Sequence, residues 1–190
     1  EVLEQSLKGI ERNLARQHSG ERITQEDMKG ALAKITTGTD YGIFSDCDLV
    51  IEASVEDENI KRQIFEKLVP ELSADALIAT NTSSISVTRL AAYTDRPERF
   101  MGMHFMNPVP VMELVELIRG IATNDATFDA IHELTLRLSK SPVTAEDSPA
   151  FIINRILLPM INEAVFALHE GVGGVADIDQ AMKLGARHPM

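Results

Sequence analysis

The sequence predicts an α/β protein: a doubly wound sheet followed by the start of an all-α domain. Three observations carry that expectation. Between residues 48 and 145 short apolar runs alternate with amphipathic segments, the pattern of strand–helix–strand units. The run Asp48-Leu-Val-Ile-Glu-Ala-Ser-Val has an unbroken apolar centre, as in a parallel strand covered on both faces. After residue 150 the alternation stops and a long apolar helical stretch begins.

Taken in order, Val2, Leu3, Leu7, Ile10 and Leu14 stand at helical spacing and predict a helix over 2–16. A second helix is expected over 24–34, with Thr24 as its cap and Asp27 three residues on in a capping-box arrangement. Gly38, Asp40, Gly42 and Asp46 mark turns. The strand beginning at Asp48 is followed by a helix over 57–69, with Ile60, Ile64, Phe65 and Leu68 on one side. Strands are expected at 76–80, 99–105, 112–118 and 141–144, and helices at 85–92 and 125–140. Glu146-Asp-Ser-Pro reads as a boundary, dividing residues 1–146 from residues 147–190. A long helix then runs from Ala150 to about Glu170, Gly171, Gly173 and Gly174 end it, and Asp177 opens another.

Composition bounds the function. A net charge of −11 repels phosphate backbones and argues against nucleic acid as the main partner. No apolar run reaches the ~18 residues that span a membrane. The single cysteine, Cys47, cannot form a disulfide within the chain, which suits a reducing compartment and predicts a cytoplasmic protein. Flanked by Asp46 and Asp48, Cys47 is a poor candidate for a thiolate nucleophile. No pair of His or Cys stands at metal-ligand spacing. The first residues are already in helical rhythm and lack a Met, so the start reads as a cut.

Four residues carry candidate chemistry. His104, in Met103-His-Phe-Met-Asn-Pro-Val-Pro, comes at the carboxyl end of a strand, where open α/β sheets bind ligands. It reads either as a proton acceptor near neutral pH or as a loop histidine with a satisfied hydrogen bond. In Met112-Glu-Leu-Val-Glu-Leu-Ile, alternation puts Leu114, Glu116 and Ile118 on one face. A carboxylate between apolar neighbours in a buried strand needs a partner, and a histidine on the adjoining strand would serve; on an edge strand Glu116 would simply face water. Ser83, in Asn81-Thr-Ser-Ser, either hydrogen-bonds a ligand or, like Ser84, caps the next helix. Asn154 is a lone amide among Leu157, Leu158, Ile161, Val165 and Leu168, and pairs with core backbone or with a ligand held between the domains.

Asp48-Leu-Val-Ile-Glu-Ala, Ala79-Thr-Asn-Thr-Ser-Ser, Met103-His-Phe-Met-Asn-Pro-Val-Pro, Leu114-Val-Glu, Pro149-Ala-Phe-Ile-Ile-Asn-Arg and Asp177-Ile-Asp-Gln-Ala-Met-Lys-Leu-Gly with His188-Pro-Met, in this order, resemble the L-3-hydroxyacyl-CoA dehydrogenase family, including the 3-hydroxybutyryl-CoA dehydrogenases. The resemblance implies a Rossmann-type NAD-binding domain over 1–146 and the start of a helical substrate and dimerisation domain over 147–190. It implies oxidation of an L-3-hydroxyacyl-CoA by hydride transfer to NAD+, as in fatty-acid β-oxidation, with His104 as base, Glu116 orienting it, and Ser83 and Asn154 near the substrate oxygen. Ala53, Glu56, Lys61, Ser83 and Asn107 match cofactor-side positions, an acyl-CoA is the expected partner, and the full-length parent is expected to be a homodimer.

One departure stands out. The family opens with a strand and a G-x-G-x-x-G loop for the pyrophosphate, and no such loop occurs in these 190 residues. The sheet is therefore expected to lack its first strands and to present an open edge. Two other readings stand beside the dehydrogenase one: a dehydrogenase for a different 3-hydroxy acid, and a non-catalytic fragment or binding scaffold.

Overall fold

The structure is a computed structural model that describes residues 1–189; Met190, the end of His188-Pro-Met, lies outside the described residues. Helices α1 (Val2–Ser19) and α2 (Gln25–Ala33) lie against each other, and neither buries a residue. The expected capping box is complete: Thr24 Oγ1 accepts the Asp27 amide at 3.1 Å, and the Asp27 carboxylate accepts the Thr24 amide at 2.9 Å. The Thr24 hydrogen bonds hold the Asp27 carboxyl below its ordinary range.

The sheet has five strands in the order β1 (Leu49–Glu52), β2 (Leu77–Thr80), β3 (Phe100–Phe105), β4 (Leu114–Arg119) and β5 (Ser141–Glu146). β1, β2 and β3 are parallel, β4 runs antiparallel to β3, and β5 is parallel to β4. Connection length decides the directions. Helix α3 (Glu58–Leu68) lies between β1 and β2, α4 (Val87–Ala91) between β2 and β3, and α5 (Asp125–Arg137) between β4 and β5. Only residues 106–113 join β3 to β4, fewer than the dozen or so a parallel crossover needs, so the chain turns back.

Alternation sorts the core onto two faces. Val50, Ile78, Phe100 and Ile118 pack with Phe65 and Leu68 of α3 and Val87 and Leu90 of α4. Ala79, Met101, Met103, Val115 and Leu117 pack with Ile131 of α5. The Phe65 and Phe100 rings meet edge to face at 5.3 Å. Each such side chain, fully buried, contributes about 1.5–3 kcal/mol. Gly102 lets α4 settle on the sheet: a Cβ there would lie 2.9 Å from both Val87 Cγ2 and Ile118 Cβ.

Two expectations are corrected. β1 is covered on one face only: Val50 and Glu52 are buried, but Ile51 is 38% exposed, because α5, the helix on its side, lies over β3–β5. The long helix α6 starts at Ile153 and ends at His169. Ala150 and Phe151 have φ of +66° and +52°, left-handed values that a right-handed helix cannot contain. Gly171, at φ +75°, ends α6 as read, and α7 (Val175–Ala186) follows. Ile156, Leu158, Ile161, Val165 and Phe166 of α6 are exposed. Among the described residues no helix is long and apolar enough to cross a membrane.

Candidate active site

His104 is the penultimate residue of β3 and Glu116 the third of β4, and the antiparallel register sets them directly opposite each other. Directly paired residues share a face, so the two side chains meet: His104 Nδ1 lies 2.8 Å from Glu116 Oε2. Both are buried, at 5% and 1% exposure, which removes the reading of Glu116 as a solvated edge residue. Its other oxygen, Oε1, accepts the backbone N–H groups of Ile152 and Ile153 at 3.0 Å each. These amides open α6, where the helix dipole favours a negative charge. The Phe151 ring stands edge-on to the imidazole, with centroids 5.8 Å apart. A carboxylate only accepts, so Nδ1 carries the proton, and in the neutral imidazole Nε2 is left as a proton acceptor.

The loops at the carboxyl ends of β1, β2 and β3 are tied to one another. Asn81 Oδ1 accepts the Phe105 amide at 2.8 Å, joining the end of β2 to the end of β3. Glu56 Oε1 accepts from Thr82 Oγ1 at 2.7 Å, from the Ser83 and Ser84 amides at 2.8 and 2.9 Å, and from Ser84 Oγ at 3.0 Å. Burial pushes the Glu56 carboxyl up, but the bonds from Thr82, Ser83 and Ser84 outweigh it and hold the group below its ordinary range. Neither Ser83 nor Ser84 caps α4; Ser86 does, accepting the Arg89 amide. The Ser83 hydroxyl makes no protein hydrogen bond among the described residues, and neither does the half-buried Asn154 amide. Asn154 directly follows the two amides that hold Glu116, whereas Ala53 and Asn107 are exposed just past β1 and β3. No hydrogen bond among the described residues joins Ser83, Asn107 or Asn154 to His104.

Lys61, expected on the cofactor side, does not reach the surface. It is completely buried, with Nζ at 2.8 and 2.9 Å from the two oxygens of Glu52 and 3.8 Å from Glu56 Oε2. Glu52 also accepts from Thr80 Oγ1 at 2.7 Å and from Ser54 N and Oγ at 2.6 and 2.5 Å. Burial works to raise the Glu52 carboxyl, but Lys61, Ser54 and Thr80 together hold it below its usual range. Lys61 thus lies beneath Glu56 and fixes it from below. Sequence reasoning missed Glu52, although the signal was present: like Glu116, it is a carboxylate inside an apolar strand.

A groove of about 380 Å³ runs beside Asn107, between Asn13, Arg16, Gln17 and Arg22 of the first helical hairpin and Pro108, Pro110 and Val111. Ala53 and Glu56, past the end of β1, and Asn107, past the end of β3, are exposed on the side of the sheet where open α/β folds bind ligands. The pyrophosphate has no glycine loop to receive it in this sequence, since Gly171, Gly173 and Gly174 follow α6. Among the described residues no cluster of three or more His, Cys, Asp or Glu could hold a metal ion.

Residues 1–148 match the 3-hydroxyacyl-CoA dehydrogenase NAD-binding domain, and residues 151–190 match the 3-hydroxyacyl-CoA dehydrogenase C-terminal domain. The chain is 58% identical over 188 residues to a 3-hydroxybutyryl-CoA dehydrogenase of Bradyrhizobium diazoefficiens, covering 99% of this chain and 64% of that protein. It is 40% identical over 196 residues to the human mitochondrial hydroxyacyl-coenzyme A dehydrogenase, covering 100% of this chain and 62% of that protein. The crystal structure of an (S)-3-hydroxybutyryl-CoA dehydrogenase from Ralstonia eutropha superposes with a TM-score of 0.91 at 48% identity, over 94% of this chain and 63% of that one. The chain thus spans a little under two thirds of the length of these proteins. With sheet, helices and the start of the C-terminal domain all matched in order, the chain belongs to the 3-hydroxyacyl-CoA dehydrogenase family.

Proposed function

We propose that this chain carries the reactive pair of an oxidoreductase that converts an L-3-hydroxyacyl-CoA to the 3-oxoacyl-CoA, with NAD+ as hydride acceptor. The observation that carries this reading is the buried 2.8 Å contact between His104 and Glu116, which leaves Nε2 as the free nitrogen. Nε2 takes the proton of the 3-hydroxyl while Nδ1 stays on the carboxylate, which stabilises the imidazolium that forms. The two amides on the other oxygen of Glu116 hold the carboxylate in place against the imidazole. When bound, NAD+ supplies the acceptor for the hydride from C3. Ala53, Glu56 and Asn107 would face it past the ends of β1 and β3, with Lys61 acting from beneath through Glu56. The unpartnered Ser83 hydroxyl and Asn154 amide are the groups we assign to the substrate oxygen.

Arg16 and Arg22 place cations on the groove beside the Asn107 loop, in a chain whose net charge is −11, and suit the phosphates of a CoA thioester. That substrate class supports a role in β-oxidation. The unpaired Cys47 supports a cytoplasmic setting. The uncovered apolar side of α6 supports a homodimer. The division of the chain into a sheet domain over 1–146 and a helical segment from 147 is part of the same reading.

The test is a titration with acetoacetyl-CoA and NADH, followed by absorbance of NADH in the presence of both. Turnover that disappears in His104→Gln is the expected result. Folded protein that turns over neither substrate even when the family's glycine-loop segment is joined to it would overturn the reading in favour of a binding scaffold. Turnover of free 3-hydroxy acids but not of CoA thioesters would point to the other dehydrogenase class.

A further inference from the structure

We infer that residues 147–153 form a strap fastened at both ends, that its far fastening sets the state of the His104–Glu116 pair, and that Asp147 is a positioning residue for that pair. The inference rests on the reading of His104 as the base.

The near end is Asp147, the residue after β5. Its carboxylate accepts from Ser86 Oγ at 2.8 Å, the Val87 amide at 2.9 Å and the Thr88 amide at 2.8 Å, which pins it to the start of α4. Burial pushes this carboxyl up, but the bonds from Thr88, Ser86 and Val87 outweigh it and keep the group below its ordinary range. The far end is the pair of amides on Ile152 and Ile153, both 3.0 Å from Glu116 Oε1. Glu146 pairs with Arg119, so the strap starts beside the far end of β4 and runs back along the strand to Glu116.

Between the two ends the backbone is held away from its resting state. Ala150 and Phe151 both have left-handed φ, and neither is a residue that tolerates it readily. Such conformations persist where the surroundings over-determine them, and here both ends are fixed. Phe151 is buried, with its ring against His104. Seating the strap therefore does two things at once: it places two N–H donors on the carboxylate that orients the imidazole, and it covers the imidazole with an aromatic ring. Unseating it removes both. Since Ile153 is the first residue of α6, any change in the direction of α6 reaches the pair through this contact.

Hydrogen exchange reads the strap directly. In Asp147→Asn the side-chain NH₂ confronts N–H donors, and the expected result is a roughly tenfold loss of protection at the Ile152 and Ile153 amides. Protection at Met103 and Leu117 should stay unchanged. Ser86→Ala, which removes one of the hydrogen bonds to Asp147, should give a smaller loss at the same two amides and keeps the question open to test if Asp147→Asn does not fold. In the enzyme completed with the glycine-loop segment, Asp147→Asn should lower kcat severalfold with KM for the acyl-CoA unchanged, and Asp147→Glu should recover part of it. Loss of protection confined to Val87 and Thr88 would reduce Asp147 to a helix cap and overturn the proposal. So would loss at Ile152 and Ile153 with no change in kcat. Turnover that survives His104→Gln would instead sink the assignment of the base, leaving the exchange result standing, so the two failures are separable.

Discussion

At His104 the decisive fact is which nitrogen is engaged. Glu116→Gln keeps the shape and keeps an oxygen for the Ile152 and Ile153 amides, but it turns an NH₂ donor toward Nδ1. That favours the tautomer with the proton on Nε2 and removes the base. The expected loss in kcat is about 10²–10⁴-fold, measured with saturating substrate. A residue-scale prediction about stability concerns Ala150, at φ +66°. Ala150→Val puts a β-branched side chain into left-handed backbone and should cost about 1–2 kcal/mol, read as a lower denaturation midpoint. Ala150→Gly should be close to neutral, since relief of the Cβ clash is offset by the greater freedom of the unfolded chain.

Among the elements, the β1–α3 unit is held by its charges as much as by its apolar contacts. Glu52→Gln leaves the Lys61 ammonium buried without its carboxylate and should destabilise by about 3–5 kcal/mol in a denaturant titration. Replacing both residues with apolar ones, as in Glu52→Leu with Lys61→Met, should recover much of that loss. The packing of α4 on the sheet is equally exacting at one point: Gly102→Ala should cost about 1–3 kcal/mol, because the new Cβ meets Val87 and the Ile118 Cβ rather than a flexible tip. Periodicity made β2, β3, α3 and α5 readable, and the Thr24–Asp27 spacing made the α2 cap readable. Alternation in β4 put Glu116 on the correct face. The start of α6 was not readable, because Ala150 and Phe151 are not residues that announce a left-handed turn. The burial of Lys61 was not readable either, since lysines are usually solvated and only the fold brings Glu52, itself held by Thr80, against it.

For the molecule as a whole, five carboxylates sit below their ordinary range, Asp27, Glu52, Glu56, Asp95 and Asp147, and of these Glu52, Glu56 and Asp147 are tied to the sheet and its loops. A group depressed in the folded state contributes stability that is full above its unfolded pKa and is lost as pH falls through its folded one. Stability should therefore hold from neutrality down to the ordinary carboxylate range and then fall on further acidification. In chemical denaturation at a series of pH values, Glu52→Gln or Asp147→Asn should make that acid limb shallower. The apolar side of α6 predicts a second bulk property. Sedimentation should show concentration-dependent self-association, weakened by Ile161→Glu and little affected by salt, as for a contact that is hydrophobic and not ionic.

The pairing of Met103 with Leu117, His104 with Glu116 and Phe105 with Val115 bears on how the gene for such a protein can change. Insertions or deletions of codons between residues 106 and 113 alter only the length of the turn and can be absorbed there. A single codon gained or lost inside β4 before Glu116 would carry the carboxylate to the opposite face of the sheet, among Met101, Met103 and Ile131, and set an aliphatic residue against the imidazole. Indels in this lineage should therefore collect in the turn and be purged from the strand, even where the strand's hydrophobic character would survive them.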